Sequence, residues 1–140
     1  MREVLIVANQ TAAGAPLLEE VARQMAAGPT RFTLLVPAVD THPERGTWDE
    51  HGSWGEATRR MEEAVEKLRA IGAEVVGRVG GHDAYAAVQD MLAEKRFDTI
   101  VVSTLPSGLS RWLGMDLPRR ISRLSGVPVV HVAAVPAPAG

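Results

Sequence analysis

Residues 4–8 read Val4-Leu5-Ile6-Val7-Ala8, a continuous apolar run that is rich in β-branched side chains. Such a run is typical of a strand that is buried on both faces of a sheet. Four further runs of similar length follow, at residues 32–36, 75–79, 99–102 and 128–133. The run at 75–79 contains Gly77 and Arg78, which favours an edge position in the sheet over a central one.

Four amphipathic segments separate these runs. The first has Pro16 in its first turn and ends at Gly28-Pro29; its predicted apolar face consists of Leu17, Leu18, Val21, Ala22 and Met25. The second follows residues 37–55, where polar and turn residues predict a long loop. Ser53 and Glu56 have the spacing of a capping box, and the stripe after them consists of Ala57, Met61, Ala64, Val65 and Leu68.

The other two segments are shorter. Asp83 is predicted to cap a helix whose buried face consists of Ala84, Val88, Met91 and Leu92. Asp116 is predicted to cap a helix over residues 117–124, which ends at Gly126.

The alternation of strands and helices determines the fold class. It demands a parallel sheet covered on both faces and joined by right-handed crossovers. The sequence therefore predicts one α/β domain over residues 1–134, with a five-stranded, doubly wound sheet in three α/β/α layers. Residues 135–140 are expected to form a disordered tail.

Composition narrows the functional classes. The chain has 140 residues, a formal net charge of -2 and no cysteine, which argues against nucleic-acid binding, disulfide scaffolds and thiolate chemistry. Its apolar runs are too short to span a bilayer. The N-terminus has no signal-peptide pattern, so a cytoplasmic protein is expected.

The topology predicts where a ligand would bind. In doubly wound sheets, ligands bind beyond the carboxyl ends of the strands, where the strand order reverses. The loops after the first, second and fourth strands meet there. The candidate nucleotide or small-ligand cleft consists of Ala8, Asn9, Gln10, Pro37, Ser103, Thr104, Ser107, Gly108 and Arg111.

The C-terminal part of the chain suggests a family. Ser103-Thr104 ends a β-branched strand, Gly108-Leu109-Ser110-Arg111 follows, and Gly126-Val127-Pro128-Val129-Val130-His131-Val132 forms the last strand. With five strands and four helices in this order, the chain resembles the universal stress protein family, and Asn9 stands where many members carry Asp. The resemblance implies an adenine nucleotide alpha hydrolase-like fold with strand order 3-2-1-4-5. It also implies adenine-nucleotide binding in one branch and a homodimer through residues Val127 to Val132.

The nucleotide motif of the family is altered. ATP-binding members carry G-x-x-G, nine residues, then G-[S/T]. Alignment on Ser103-Thr104 puts Ser103 and Pro106 on the first two glycines, and alignment on Leu109-Ser110-Arg111 puts Val102 and Leu105 there. Glycines let backbone N–H groups reach phosphate oxygens, and Pro106 removes one donor. The Asp116 carboxylate would also oppose an anion at the following helix N-terminus.

Four arginines near the C-terminus are candidates for an anion-binding site. Arg111, Arg119, Arg120 and Arg123 could rebuild a phosphate site, because arginine binds phosphate in a fork. A run of charges is, however, more typical of the solvated face of a short helix.

Other side chains carry weaker signals. His42, His51, Asp40, Glu44, Asp49 and Glu50 match no ligand spacing, so no metal site is expected. Trp48 and Trp54 are expected to pin the long loop onto the domain, and Trp112 lies beside the expected cleft. Ser103, Ser107 and Ser110 lack an evident base, so no catalytic residue is assigned and the chain is not expected to be an enzyme.

Three functions follow from these observations. The first is a dimeric regulatory module that responds to a small ligand or an unknown protein partner without the standard ATP motif. The second is an adenine-nucleotide binder, of ATP or a relative, that uses arginine and hydroxyl contacts. The third is a hydrolase of a phosphorylated or acyl substrate, for which no catalytic constellation is present. The last strand is an apolar edge, which favours pairing with a second copy.

Overall fold

The computed structural model describes residues 1–9, 11–38, 50–104 and 117–133, with the backbone alone described for 50–53. The elements in chain order are β1 Arg2–Val7, α1 Ala15–Ala26, β2 Thr30–Pro37, α2 Glu50–Ala70, β3 Glu74–Gly80, α3 Ala84–Glu94, β4 Thr99–Thr104, α4 Leu117–Ser125 and β5 Val129–Ala133.

The sheet has the order β3-β2-β1-β4-β5, with all four pairings parallel. This confirms the predicted fold class and strand order, including the edge position of β3. The order reverses between β1 and β4, where Val7 is the register partner of Val102. The carboxyl ends of these two strands therefore lie side by side.

Strand β1 is buried on both faces because helices cover each side of the sheet. Val4 and Ile6 pack into a cluster that includes side chains of α1 and α2. Leu5 and Val7 pack into a second cluster, with side chains of α3 and α4. Each such side chain contributes about 1.5–3 kcal/mol when fully buried, in keeping with the apolar character of residues 4–7, the buried part of β1.

Helix α1 buries more polar atoms than its sequence predicts. Pro16 lies in the first turn as expected, and Leu17 and Val21 are buried. Ala22, however, is exposed, so its place on the predicted apolar face is wrong. Glu20 is buried instead, and its carboxylate accepts hydrogen bonds from Arg23 and from Gln24 Nε2.

Helix α2 begins earlier than predicted. It starts at Glu50, so residues 50–55 are helical rather than part of a loop, and the predicted capping box at Ser53 is wrong because this residue lies inside the helix. The predicted stripe holds, since its members are buried or half-buried. Packing of that stripe stabilises the whole helix and outweighs the weak helix propensity of Gly52 and Gly55.

Trp54 belongs to a helix rather than to the predicted loop, most of which lies outside the described residues. It lies on α2 with 45% of its surface exposed. Trp48 falls outside the described residues.

The shorter helices follow the predictions closely. The Asp83 side chain caps α3 by accepting from the Ala86 backbone N–H at 3.2 Å. Helix α4 ends one residue later than expected, before Gly126, whose φ of 69° favours glycine. The proposed Asp116 cap lies outside the described residues. Within the described part of the chain, no helix is long and apolar enough to cross a membrane.

The carboxyl end of β3 approaches α3 closely at Gly80. A Cβ added there would lie 2.7 Å from Ala87 Cβ and 3.1 Å from Leu35 Cδ1, whereas a Cβ on Gly81 would meet open space. The helix can approach the strand this closely because Gly80 has no side chain.

We therefore expect Gly80→Ala to lower the free energy of unfolding by about 1–3 kcal/mol through overpacking. Urea denaturation measures this value. The matched control, Gly81→Ala, should change it by no more than about 0.5 kcal/mol. Equal effects of the two substitutions would contradict the close packing of α3 on β3.

Candidate functional site

Four buried polar side chains gather around the carboxyl ends of β1 and β4. Asn9 and Thr11 follow β1, and Ser103 and Thr104 end β4; each is at most 1% exposed. Ala8, also buried, continues β1 by donating its N–H to Leu35 O at 3.1 Å. Polar groups are concentrated at the position where doubly wound folds bind ligands.

The Asn9 amide joins three elements. Its Nδ2 donates to Pro37 O at 2.5 Å, at the end of β2. Its Oδ1 accepts a hydrogen bond from Arg60 Nη1 of α2 at 2.6 Å. A carboxylate has no proton to donate to Pro37 O when it is ionised, so the amide suits this position and an ionised Asp does not.

Two hydroxyl contacts cross the same region. Thr11 Oγ1 and Ser103 Oγ share a hydrogen bond of 2.6 Å, which links the loop after β1 to the end of β4. Thr104 Oγ1 and His131 Nε2 share another of 2.6 Å, which links β4 to β5. The three buried hydroxyl groups thus have protein partners, as buried polar groups require.

Arg60 brings a positive charge to this region. Its side chain is 24% exposed, and its Nη2 atom lies 3.6 Å from Glu56 Oε2, one helical turn earlier. Burial lowers the pKa of Arg60, since loss of water disfavours the charged form, while the nearby Glu56 carboxylate acts in the opposite direction.

The structure brings together the predicted site residues that it describes. Ala8, Asn9, Pro37, Ser103 and Thr104 lie at the carboxyl edge around the β1–β4 reversal. The remaining predicted residues, Gln10, Ser107, Gly108 and Arg111, lie outside the described residues.

Sequence reasoning missed Thr11, Arg60 and the contact of His131. The sequence does indicate that Arg60 is unusual, because it lies three residues after Ala57 and four before Ala64. This spacing places it on the buried stripe of α2. His131 lies in β5, within the run that the sequence predicts to be the last strand.

The arginines of α4 divide into two kinds. The Arg120 guanidinium stacks on the Tyr85 ring at 3.9 Å from its centroid. It therefore packs α4 against α3. All three arginines are exposed, and Arg119 and Arg123 have no ring contact with a described residue, as on a solvated helix face.

The described residues hold no group of three or more His, Asp or Glu side chains that could bind a metal ion. The loop residues considered for this role, from Asp40 to Asp49, and the side chains of Glu50 and His51 lie outside what the structure describes. Of the candidate nucleophiles, Ser103 is buried against Thr11, and Ser107 and Ser110 lie outside the described residues.

A separate cavity of about 580 Å³ lies at the opposite, amino end of the sheet. It is lined by Leu92, Lys95, Arg96, Phe97, Asp98, Leu124, Ser125 and Val127. It shares no residue with the cleft described above.

Solved structures show which proteins share this fold. A universal stress protein in complex with cAMP is 20% identical over 94% of this chain and 96% of its own, with a TM-score of 0.60. A universal stress protein from Archaeoglobus fulgidus is 15% identical over 94% and 98%, with a TM-score of 0.65. A universal stress protein family member from Arabidopsis thaliana with AMP bound is 17% identical over 96% and 92%, with a TM-score of 0.64.

The chain therefore has the universal stress protein fold, which is of the adenine nucleotide alpha hydrolase-like type. No protein-family model matches its sequence, and no curated protein matches it significantly.

The hydrogen bond between Thr11 and Ser103 should couple the contributions of the two side chains to stability. Thr11→Val or Ser103→Ala alone should lower the free energy of unfolding by about 1–3 kcal/mol, because each leaves a buried hydroxyl without its partner. The double variant should cost less than the sum of the two. Urea denaturation of all four proteins measures the coupling.

Thr58→Val is the control. It removes a hydroxyl near the surface of α2, bonded to Trp54 O, and should cost no more than about 0.5 kcal/mol. Additive effects at Thr11 and Ser103 would show that the two hydroxyl groups do not depend on each other.

Proposed function

We propose that this chain is a regulatory binding module of the universal stress protein type, and that its cleft binds an adenine mononucleotide. The observation that carries the proposal is the set of buried polar groups at the β1–β4 reversal, with the Arg60 cation beside it. The AMP and cAMP bound to two proteins of the same fold support this ligand class.

The sequence argues for one phosphate rather than three. Residues 103–117 lack the glycine spacing that presents backbone N–H groups to a triphosphate. Pro106 lacks an N–H, and Asp116 adds a negative charge at the start of α4. A monophosphate needs fewer donors, which the fork of an arginine can supply.

We propose binding without catalysis. The buried hydroxyl groups of the site are paired, Thr11 with Ser103 and Thr104 with His131. Thr104 is 1% exposed, so a substrate has no evident approach to its oxygen, although the imidazole contact resembles a base next to a nucleophile. We also propose a cytoplasmic setting, without nucleic-acid or membrane partners.

Calorimetric titration with AMP, cAMP and ATP with magnesium tests the proposal. AMP or cAMP should bind at least about tenfold more tightly than ATP, a difference of about 1.4 kcal/mol. GMP serves as the control for the base. Equal or tighter binding of ATP, or no response to any adenine compound, would refute the proposal, and release of ADP from ATP would refute its non-catalytic part.

We further propose a homodimer through β5. Val129, Val130 and Val132 lie in an edge strand and are half-buried. Ile100 N donates to Pro128 O, so the backbone groups of alternate residues face β4 and those of Val129, His131 and Ala133 face outward. An apolar edge of this kind invites pairing with a second copy.

Analytical ultracentrifugation tests the dimer. The wild-type chain should sediment with twice the mass of one chain. Ala133→Pro removes an outward N–H without disturbing the pairing with β4, so it should give monomers that keep the far-ultraviolet circular dichroism spectrum of the folded chain. Ala133→Thr keeps the N–H and should remain dimeric. A monomeric wild type, or a dimeric Ala133→Pro, would refute the interface.

A further inference from the structure

Arg60 occupies a place that an ordinary solvated arginine does not. It lies between Ala57 and Ala64 on the stripe by which α2 packs against the sheet. Long side chains in a helix point back towards its N-terminus. The N-terminus of α2 lies towards the carboxyl end of the sheet, because the helix follows β2 in a parallel arrangement. The helix therefore directs the Arg60 guanidinium to the cleft.

The guanidinium is held in a fixed position. Asn9 is itself fixed by its bond to Pro37 O and accepts one Arg60 N–H at 2.6 Å. That bond is charge-assisted and stronger than one between neutral groups. Such pre-organisation is what an arginine needs if it is to bind a ligand without a large loss of side-chain entropy.

The described contacts of Arg60 use few of its hydrogen-bond donors. A guanidinium carries five N–H donors, and among the described residues its contacts are one hydrogen bond to Asn9 and the Glu56 carboxylate at 3.6 Å. Burial at this point lowers the pKa of Arg60. A second anion at the guanidinium would offset that loss of hydration.

Two roles of Arg60, holding Asn9 in place and binding a ligand, require different chemical properties of the side chain. To hold Asn9, position 60 needs only a donor, which a neutral amide supplies. To bind a phosphate, it needs the positive charge, and the planar fork adds a bidentate geometry that lysine lacks. The two roles are separable by experiment.

We infer that Arg60 is the specificity-determining residue of the cleft and binds the phosphate of the ligand, while Asn9 positions its guanidinium. The inference rests on the proposed function for the nature of the ligand. It places the phosphate beside α2 and the end of β1, instead of at the loop after β4.

The test compares AMP, adenosine and inorganic phosphate by calorimetry. In Arg60→Gln, the affinity for AMP should fall about 10- to 100-fold, as expected for a lost charge-assisted contact. The affinity for adenosine, which has no phosphate, should stay within about twofold. Arg60→Lys should retain part of the AMP affinity, since it keeps the charge and loses the fork.

Arg59→Gln is the matched control. It removes the same charge from the neighbouring position of α2, where the side chain is exposed. Its AMP affinity should stay within about twofold of wild type, because long-range attraction between exposed charges is screened by salt.

Each outcome decides the inference. Equal losses for AMP and adenosine in Arg60→Gln, or no loss for either, would overturn it while the proposed function stands. If adenosine and AMP both fail to bind the wild type, the proposed function fails. In that case phosphate binding that Arg60→Gln abolishes would still support the inference, and an absent or unchanged phosphate response would overturn it.

Discussion

The burial of β1 on both faces is the constraint on which the remaining structure depends. Helices cover the strand on each side, so residues 4–8 are all fully buried. The strand nevertheless ends at Asn9, which is still buried. Polar groups there no longer pair within the sheet, so they need other partners in the protein. The Asn9 amide meets the requirement by donating to the end of β2 and accepting from α2.

The same requirement explains why polar contacts concentrate at one edge of the sheet. The reversal between β1 and β4 separates the loops that leave the two strands, so fewer backbone pairings are available there. Thr11 and Ser103 bridge the gap through their side chains. Arg60 approaches from α2, which packs on β2 and β3. The candidate site is thus built from interactions that stabilise the fold, and these interactions also hold the Arg60 guanidinium in place.

The fold could be predicted from the sequence to a large extent, because it depends on local periodicity and on rules of chain connection. Apolar runs such as residues 4–8 are visible without tertiary information, and parallel pairing follows from their alternation with helices. The start of α2 could not be predicted, since turn residues such as Gly52 favour a loop until the packing of the later stripe extends the helix. The exposure of Ala22 likewise depends on how α1 is rotated on the sheet.

The site was predictable in part. Asn9, Pro37, Ser103 and Thr104 follow from the rule that ligands bind at the strand reversal. Thr11 and Ser103 are separated by 92 positions in the chain, and no local pattern indicates that their oxygens meet. Arg60 was overlooked for a different reason: arginine is usually solvated, and its place on the apolar stripe becomes meaningful only when its partner Asn9 is known.

The most direct test is a ¹H–¹⁵N NMR titration of the labelled protein with AMP. We expect the largest shifts at Ala8, Asn9 and Ser103, including the side-chain amide of Asn9, and at Ala38, which follows Pro37 in the chain. Shifts confined to the cavity at the other end of the sheet, around Lys95 to Asp98, or no shifts at all, would contradict it.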